Sequence, residues 1–134
     1  MLKRVHHVAL VVRDLEAALL FWRDAMGLAL SKTRVVEDQG VKAALLEAGN
    51  SEIELLEPLS PDNGVGRFLT RRGGGLHHVC FESDDVAAEL ERARAKGIAL
   101  IDQKPRPGLA GMICFLHPSA TAGTLVEYAQ PVEE

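Results

Sequence analysis

Apolar residues recur along this chain with two periods, and the switches between them mark its elements. Between Asp14 and Gly27, the residues Leu15, Ala18, Leu19, Trp22 and Met26 fall near one face of a helix. Between Asp85 and Gly97, Val86, Leu90 and Ala93 do the same. An Asp side chain accepts hydrogen bonds from the free N–H groups of a first helical turn, and a glycine tolerates the positive φ that follows the last. Shorter apolar runs predict strands over residues 4–12, 29–36, 41–48 and 51–56 in the first half of the chain. The second half predicts strands over 77–82, 98–103, 112–116 and 124–129. Gly49-Asn50 predicts a two-residue hairpin turn, Asp38-Gln39-Gly40 the turn before it, and residues 118–123 the last turn. Pro61-Asp62-Asn63-Gly64, a helical stretch over 65–70 and Gly73-Gly74-Gly75 form a connector.

The two halves are versions of one pattern. His6-His7-Val8-Ala9-Leu10 recurs as His77-His78-Val79-Cys80-Phe81, and an Asp follows each second His by seven residues. Glu54-Leu55-Leu56-Glu57-Pro58 answers Glu127-Tyr128-Ala129-Gln130-Pro131, each with Glu four residues before Pro. His7 to Glu54 is 47 residues and His78 to Glu127 is 49. The reading is an α+β protein of two tandem βαβββ modules, residues 4–58 and 76–131, joined by a connector over 59–75. The expectation is a single domain, 1–134, because neither module alone closes its sheet: a curved, half-open mixed β-sheet barrel around a metal site, with helices outside.

Composition narrows the partners. The 134 residues carry a net charge of −4, with 15 Lys and Arg against 19 Asp and Glu, and no basic stripe, so nucleic acid is excluded as a partner. No apolar run approaches the roughly 18 residues of a membrane span. The run from Val8 to Val12 is too short for a signal peptide and meets Arg13-Asp14 at once. Cys80 and Cys114 stand alone in apolar runs without a CxxC spacing and read as buried reduced thiols. The expected setting is cytoplasmic and the expected partner a small molecule.

Repetition changes the meaning of the histidines and glutamates. A lone His or Glu on a strand is ordinarily a hydrogen-bonded or solvated side chain. Here His7 and His78 open equivalent strands, and Glu54 and Glu127 close equivalent strands. Modules packed about a pseudo-two-fold axis would turn all four toward one concavity. Imidazole nitrogen and carboxylate oxygen suit zinc, cobalt, manganese, nickel or ferrous iron. His6 and His77 should face away, as packing or supporting residues. Glu52 and Glu57 are alternative ligands should the register differ by a residue or two.

These motifs together resemble the vicinal oxygen chelate superfamily, and within it most closely the methylmalonyl-CoA epimerases. The resemblance is carried by His6-His7-Val8-Ala9 with Asp14-Leu15-Glu16 and by Gly49-Asn50 with the run from Ile53 to Leu59. Gly75-Leu76-His77-His78-Val79, and Phe115-Leu116-His117-Pro118 with the run from Gly123 to Glu127, complete it. The resemblance implies His7, Glu54, His78 and Glu127 as ligands of one divalent ion, cobalt first, with zinc, manganese or nickel as alternatives. It further implies an acyl-CoA substrate, a homodimer, and interconversion of (R)- and (S)-methylmalonyl-CoA through a metal-stabilised enolate.

Inversion requires a proton acceptor on one face of the carbon and a donor on the other. The resemblance gives Glu127 as one. Some epimerases carry a second Glu two residues beyond the Gln-Gly-Val turn, where this chain has Ala43; Glu54 is the substitute expected here. The Lys that commonly follows Phe-Leu-His-Pro is Ser119, leaving Arg71, Arg72, Lys104 and Arg106 as loop cations for the phosphates of CoA. Alternative activities are a glyoxalase I-like lactoylglutathione lyase, a metal-dependent dioxygenase and a non-enzymatic drug-binding protein.

Overall fold

The computed structural model describes residues 1–132. The backbone groups into two compact units, one of residues 7–77 and one that joins residues 1–6 to the chain from His78 onward.

In the unit of residues 7–77, β1 (Leu2–Val11) enters with its second half and β2 (Ala29–Val36), β3 (Val41–Ala48) and β4 (Ser51–Pro58) follow. Their hydrogen-bonded order is β2-β3-β4-β1, antiparallel except for the parallel pair β4 and β1. The hairpin between β3 and β4 turns on Gly49 at φ +65°, as Gly49-Asn50 predicts, and aligns Ala48 with Ser51. Helix α1 (Leu15–Leu19) is capped by Asp14, whose carboxylate accepts from the Ala17 N–H at 3.2 Å. Its buried Leu15 and Leu19 pack on Ala44, Leu46 and Leu55.

The expected continuous helix to Met26 does not form. Leu20–Ala25 is a π-helical turn, in which the Met26 N–H reaches the Phe21 carbonyl at 2.9 Å. Trp22 sits against the Leu15 and Leu19 cluster while Phe21 stays exposed. Such a one-turn widening is invisible to a 3.6-residue pattern. Helix α2 (Gly64–Arg72) occupies the connector, with Asn63 accepting from the Gly66 N–H at 2.7 Å and donating to the Gly40 carbonyl at 2.8 Å.

The other unit repeats the plan with β5 (Gly75–Ser83), α3 (Val86–Ala95), β6 (Arg106–Gly108), β7 (Gly111–Leu116) and β8 (Leu125–Gln130). Its hydrogen-bonded order is β1-β5-β8-β7-β6, with β5 and β8 parallel and residues 2–6 supplying the β1 segment. Asp85 caps α3 through the Ala88 N–H at 3.1 Å, and Val86 and Leu90 pack on Cys114. The sheet is thus mixed, with eight strands.

One predicted strand is corrected. Residues 98–103 make only an isolated bridge, Leu100 to Leu116, and the strand beside β7 is Arg106–Gly108. The Ile101 and Asp102 N–H groups share one acceptor, the Phe115 carbonyl, and the Asp102 side chain takes the Phe115 N–H at 2.7 Å. A side chain thereby occupies the donor that a regular ladder would use.

The equivalent caps make a local prediction. Asp85→Ala should lower stability by about 1 kcal/mol, the usual cost of losing an N-cap side chain. Urea denaturation checks it, and Asp14→Ala should cost a similar amount.

Candidate active site

Strand pairing decides which side chains share a face. In the unit of residues 7–77, His7 aligns with Glu52 and Ala9 with Glu54 across the parallel pair β1 and β4. Aligned neighbours share a face, as do residues two apart on a strand, so His7 and Glu54 project to the same side. Leu10 and Leu55 project to the other side, under α1. His7 Nε2 lies 3.7 Å from Glu54 Oε1. The other unit does the same with β5 and β8, where Cys80 aligns with Glu127. His78 Nε2 lies 3.0 Å from Glu127 Oε1.

All four side chains are buried: exposure is 2% for His7, 3% for Glu54, 5% for His78 and 4% for Glu127. Taking an ionised carboxylate out of water costs several kcal/mol unless charge and hydrogen bonds compensate it. A neutral histidine facing each glutamate, at 3.7 Å and 3.0 Å, supplies no charge. A divalent cation bound through these nitrogen and oxygen atoms would supply the charge, and this donor set suits first-row divalent ions. The residues therefore fit the ion that the sequence implies.

The alternative ligand Glu57 has another task. Its Oε1 accepts the Leu15 N–H at 2.7 Å, which ties the end of β4 to the start of α1. Gln130 makes the equivalent tie, accepting the Val86 N–H at 2.9 Å at the start of α3. Each tie stands three residues beyond the glutamate of its unit, so the repeat contained the signal: both residues offer a side-chain oxygen at that spacing. Glu52 is half-buried beside His7, but the carboxylate facing the His7 imidazole is that of Glu54.

The flanking histidines differ from their neighbours. His77 packs its ring on Phe68 at 4.9 Å, inside the unit of residues 7–77. His6 lines a polar cavity of about 570 Å³ with Lys3, Arg4, Glu82 and Gln130. Ala43 aligns with Leu56 and Leu45 with Glu54, so Ala43 shares the face of Glu54 and is buried. A methyl group occupies that position and moves no proton.

Both cysteines are buried and free. Burial, assisted by the Asp102 and Glu127 charges, pushes the Cys114 thiol up to about 12, so it is neither a nucleophile nor a ready ligand at neutral pH. No helix among the described residues is long and apolar enough to cross a membrane.

Two paired strands that each set a histidine against a glutamate, in repeated βαβββ units, define a class. Residues 6–115 match the Glyoxalase/Bleomycin resistance protein/Dioxygenase superfamily, and the chain belongs to it. Within that superfamily the likeness is to epimerases. The mitochondrial methylmalonyl-CoA epimerase of Mus musculus is 37% identical over 131 residues, which cover 96% of this chain and 74% of that protein. An ethylmalonyl-CoA/methylmalonyl-CoA epimerase of Cereibacter sphaeroides is 35% identical, covering 97% of this chain and 99% of that one. A solved methylmalonyl-CoA epimerase in complex with methylmalonyl-CoA and NH4+ is similar in structure with a TM-score of 0.91. That pair is 35% identical and covers 98% of this chain and 96% of the other.

Proposed function

We propose that this protein epimerises methylmalonyl-CoA with one divalent ion held by His7, Glu54, His78 and Glu127. The observation that carries the reading is the repeated buried pair, His7 with Glu54 and His78 with Glu127, in a chain similar to epimerases along nearly its whole length. The proposal treats residues 1–134 as one domain, with modules over 4–58 and 76–131. It takes cobalt as the ion, with zinc, manganese or nickel as alternatives. A homodimer in the cytoplasm belongs to the same proposal.

The substrate carbon lies between a thioester and a carboxylate, and its proton is too weakly acidic for a carboxylate to remove unaided. When bound, the ion stabilises the negative charge that develops on the thioester oxygen as that proton leaves. Glu127 takes the proton on one face and Glu54 returns one on the other, and the roles exchange in the reverse direction. Burial restricts the movement of both carboxylates, and each exchanges its proton with solvent between turnovers. His7 and His78 hold the carboxylates in place from the neighbouring strands.

The test is incubation of a single stereoisomer of methylmalonyl-CoA followed by chiral analysis. The expected result is a mixture of both isomers. An unchanged isomer, together with turnover of methylglyoxal and glutathione, would replace this reading by the glyoxalase-like one.

A further inference from the structure

Four loop cations were candidates for the phosphates of CoA, and the structure separates them. All four are exposed, and among the described residues Lys104 and Arg71 make no side-chain hydrogen bond or ion pair. Arg72 lies over the Phe68 ring at 5.5 Å, in the unit of residues 7–77. Arg106 alone among the four is held by an acid and an aromatic ring together, and that ring meets a histidine of a buried His–Glu pair.

The arrangement is built from one strand and its irregular neighbour. Asp102 accepts the Phe115 N–H at 2.7 Å with one oxygen and the Arg106 Nε–H at 2.9 Å with the other. The guanidinium carbon then sits 5.5 Å from the centre of the Phe115 ring. On β7 and β8 Phe115 aligns with Glu127, and its ring meets the His78 ring edge-on at 5.4 Å. Asp102 thus engages only the Nε side of the fork. Among the described residues the terminal nitrogens of Arg106 make no hydrogen bond, and the side chain is 45% exposed. An arginine oriented through Nε, with its terminal nitrogens making no other hydrogen bond, is pre-organised for bidentate contact with an oxyanion.

We propose that Arg106 is the residue that binds a phosphate of the CoA moiety. This deepens the epimerase reading and rests on it for the identity of the substrate. The Phe115 ring neighbours both the guanidinium and His78, while Arg106 itself belongs to neither His–Glu pair. Its partner is a phosphate of the CoA part, the oxyanion of the substrate that the two pairs do not serve. The bent path of residues 98–103 acquires a purpose in the same stroke, because it places Asp102 where it can orient the arginine.

The experiment compares wild type and Arg106→Ala on methylmalonyl-CoA and on methylmalonyl-pantetheine, which has the same acyl end and no phosphate. Calorimetric titration with CoA itself accompanies the kinetics. Arg106→Ala should raise KM for the CoA ester and weaken CoA binding about tenfold, in line with loss of a charge-assisted contact. Its kcat should be unchanged, its kinetics on the pantetheine ester should equal those of wild type, and Arg106→Lys should recover part of the loss. Unchanged CoA affinity, or an equal loss on both esters, would overturn the proposal. If neither ester is turned over but CoA binding still weakens in Arg106→Ala, the epimerase reading fails and the phosphate site stands.

Discussion

His78→Ala should purify without a bound metal ion, where the wild-type protein should carry one per chain by elemental analysis. Turnover of methylmalonyl-CoA should fall by about a thousandfold or more, since an ion contributes several kcal/mol toward the charge that develops in the reaction. The reasoning begins from burial. At 5% exposure, His78 faces Glu127 at 3.0 Å, so its removal leaves a buried carboxylate without the imidazole that confronts it. The variant should therefore also be less stable than wild type, and circular dichroism must show that it is folded before its metal content is read. His7→Ala should behave alike, because His7 stands in the same relation to Glu54. A folded His78→Ala protein with a full complement of metal would remove His78 from the ligand set.

Glu54→Gln should keep the ion and lose most epimerisation. The amide retains an oxygen for coordination but cannot take up a proton, so the expected loss is about 10²- to 10⁴-fold in kcat, the usual worth of a positioned acid or base. Glu127→Gln should show a loss of the same order. The double requirement follows from inversion, which needs a proton group on each face of the carbon, and from Ala43, which fills the one position where the resemblance offered an alternative carboxylate. Near-normal turnover by Glu54→Gln would show that the second proton comes from elsewhere.

The parts of the fold that were readable from sequence are those that the repeat states twice. Asp14 and Asp85 cap their helices, Gly49 turns its hairpin, and His7 and His78 stand on opening strands as Glu54 and Glu127 stand on closing ones. Alternation along a strand is strict, so a residue's face follows once its strand is known. What could not be read was set by tertiary choice between near-equal local options. The turn at Leu20–Ala25 differs from a continued helix by one residue of pitch. Residues 98–103 have the apolar pattern of a strand, yet the Asp102 carboxylate competes for the Phe115 N–H, and the ladder moves on to Arg106. The setting of Arg106 could not be foreseen for the same reason, since it depends on that displacement. Glu57 was ambiguous because a carboxylate three residues from another points to a ligand or to a helix end with equal force; the nearby Leu15 N–H decided it.

The central claim is that the paired residues of the two repeats hold an ion and exchange the proton of an acidified carbon. Proton NMR of methylmalonyl-CoA in deuterium oxide, with cobalt-loaded and chelator-treated protein side by side, tests it most directly. The account predicts loss of the α-proton signal through deuteration with the loaded protein, and its persistence after chelation until cobalt is restored. An α-proton that survives with the folded, cobalt-loaded protein would contradict it.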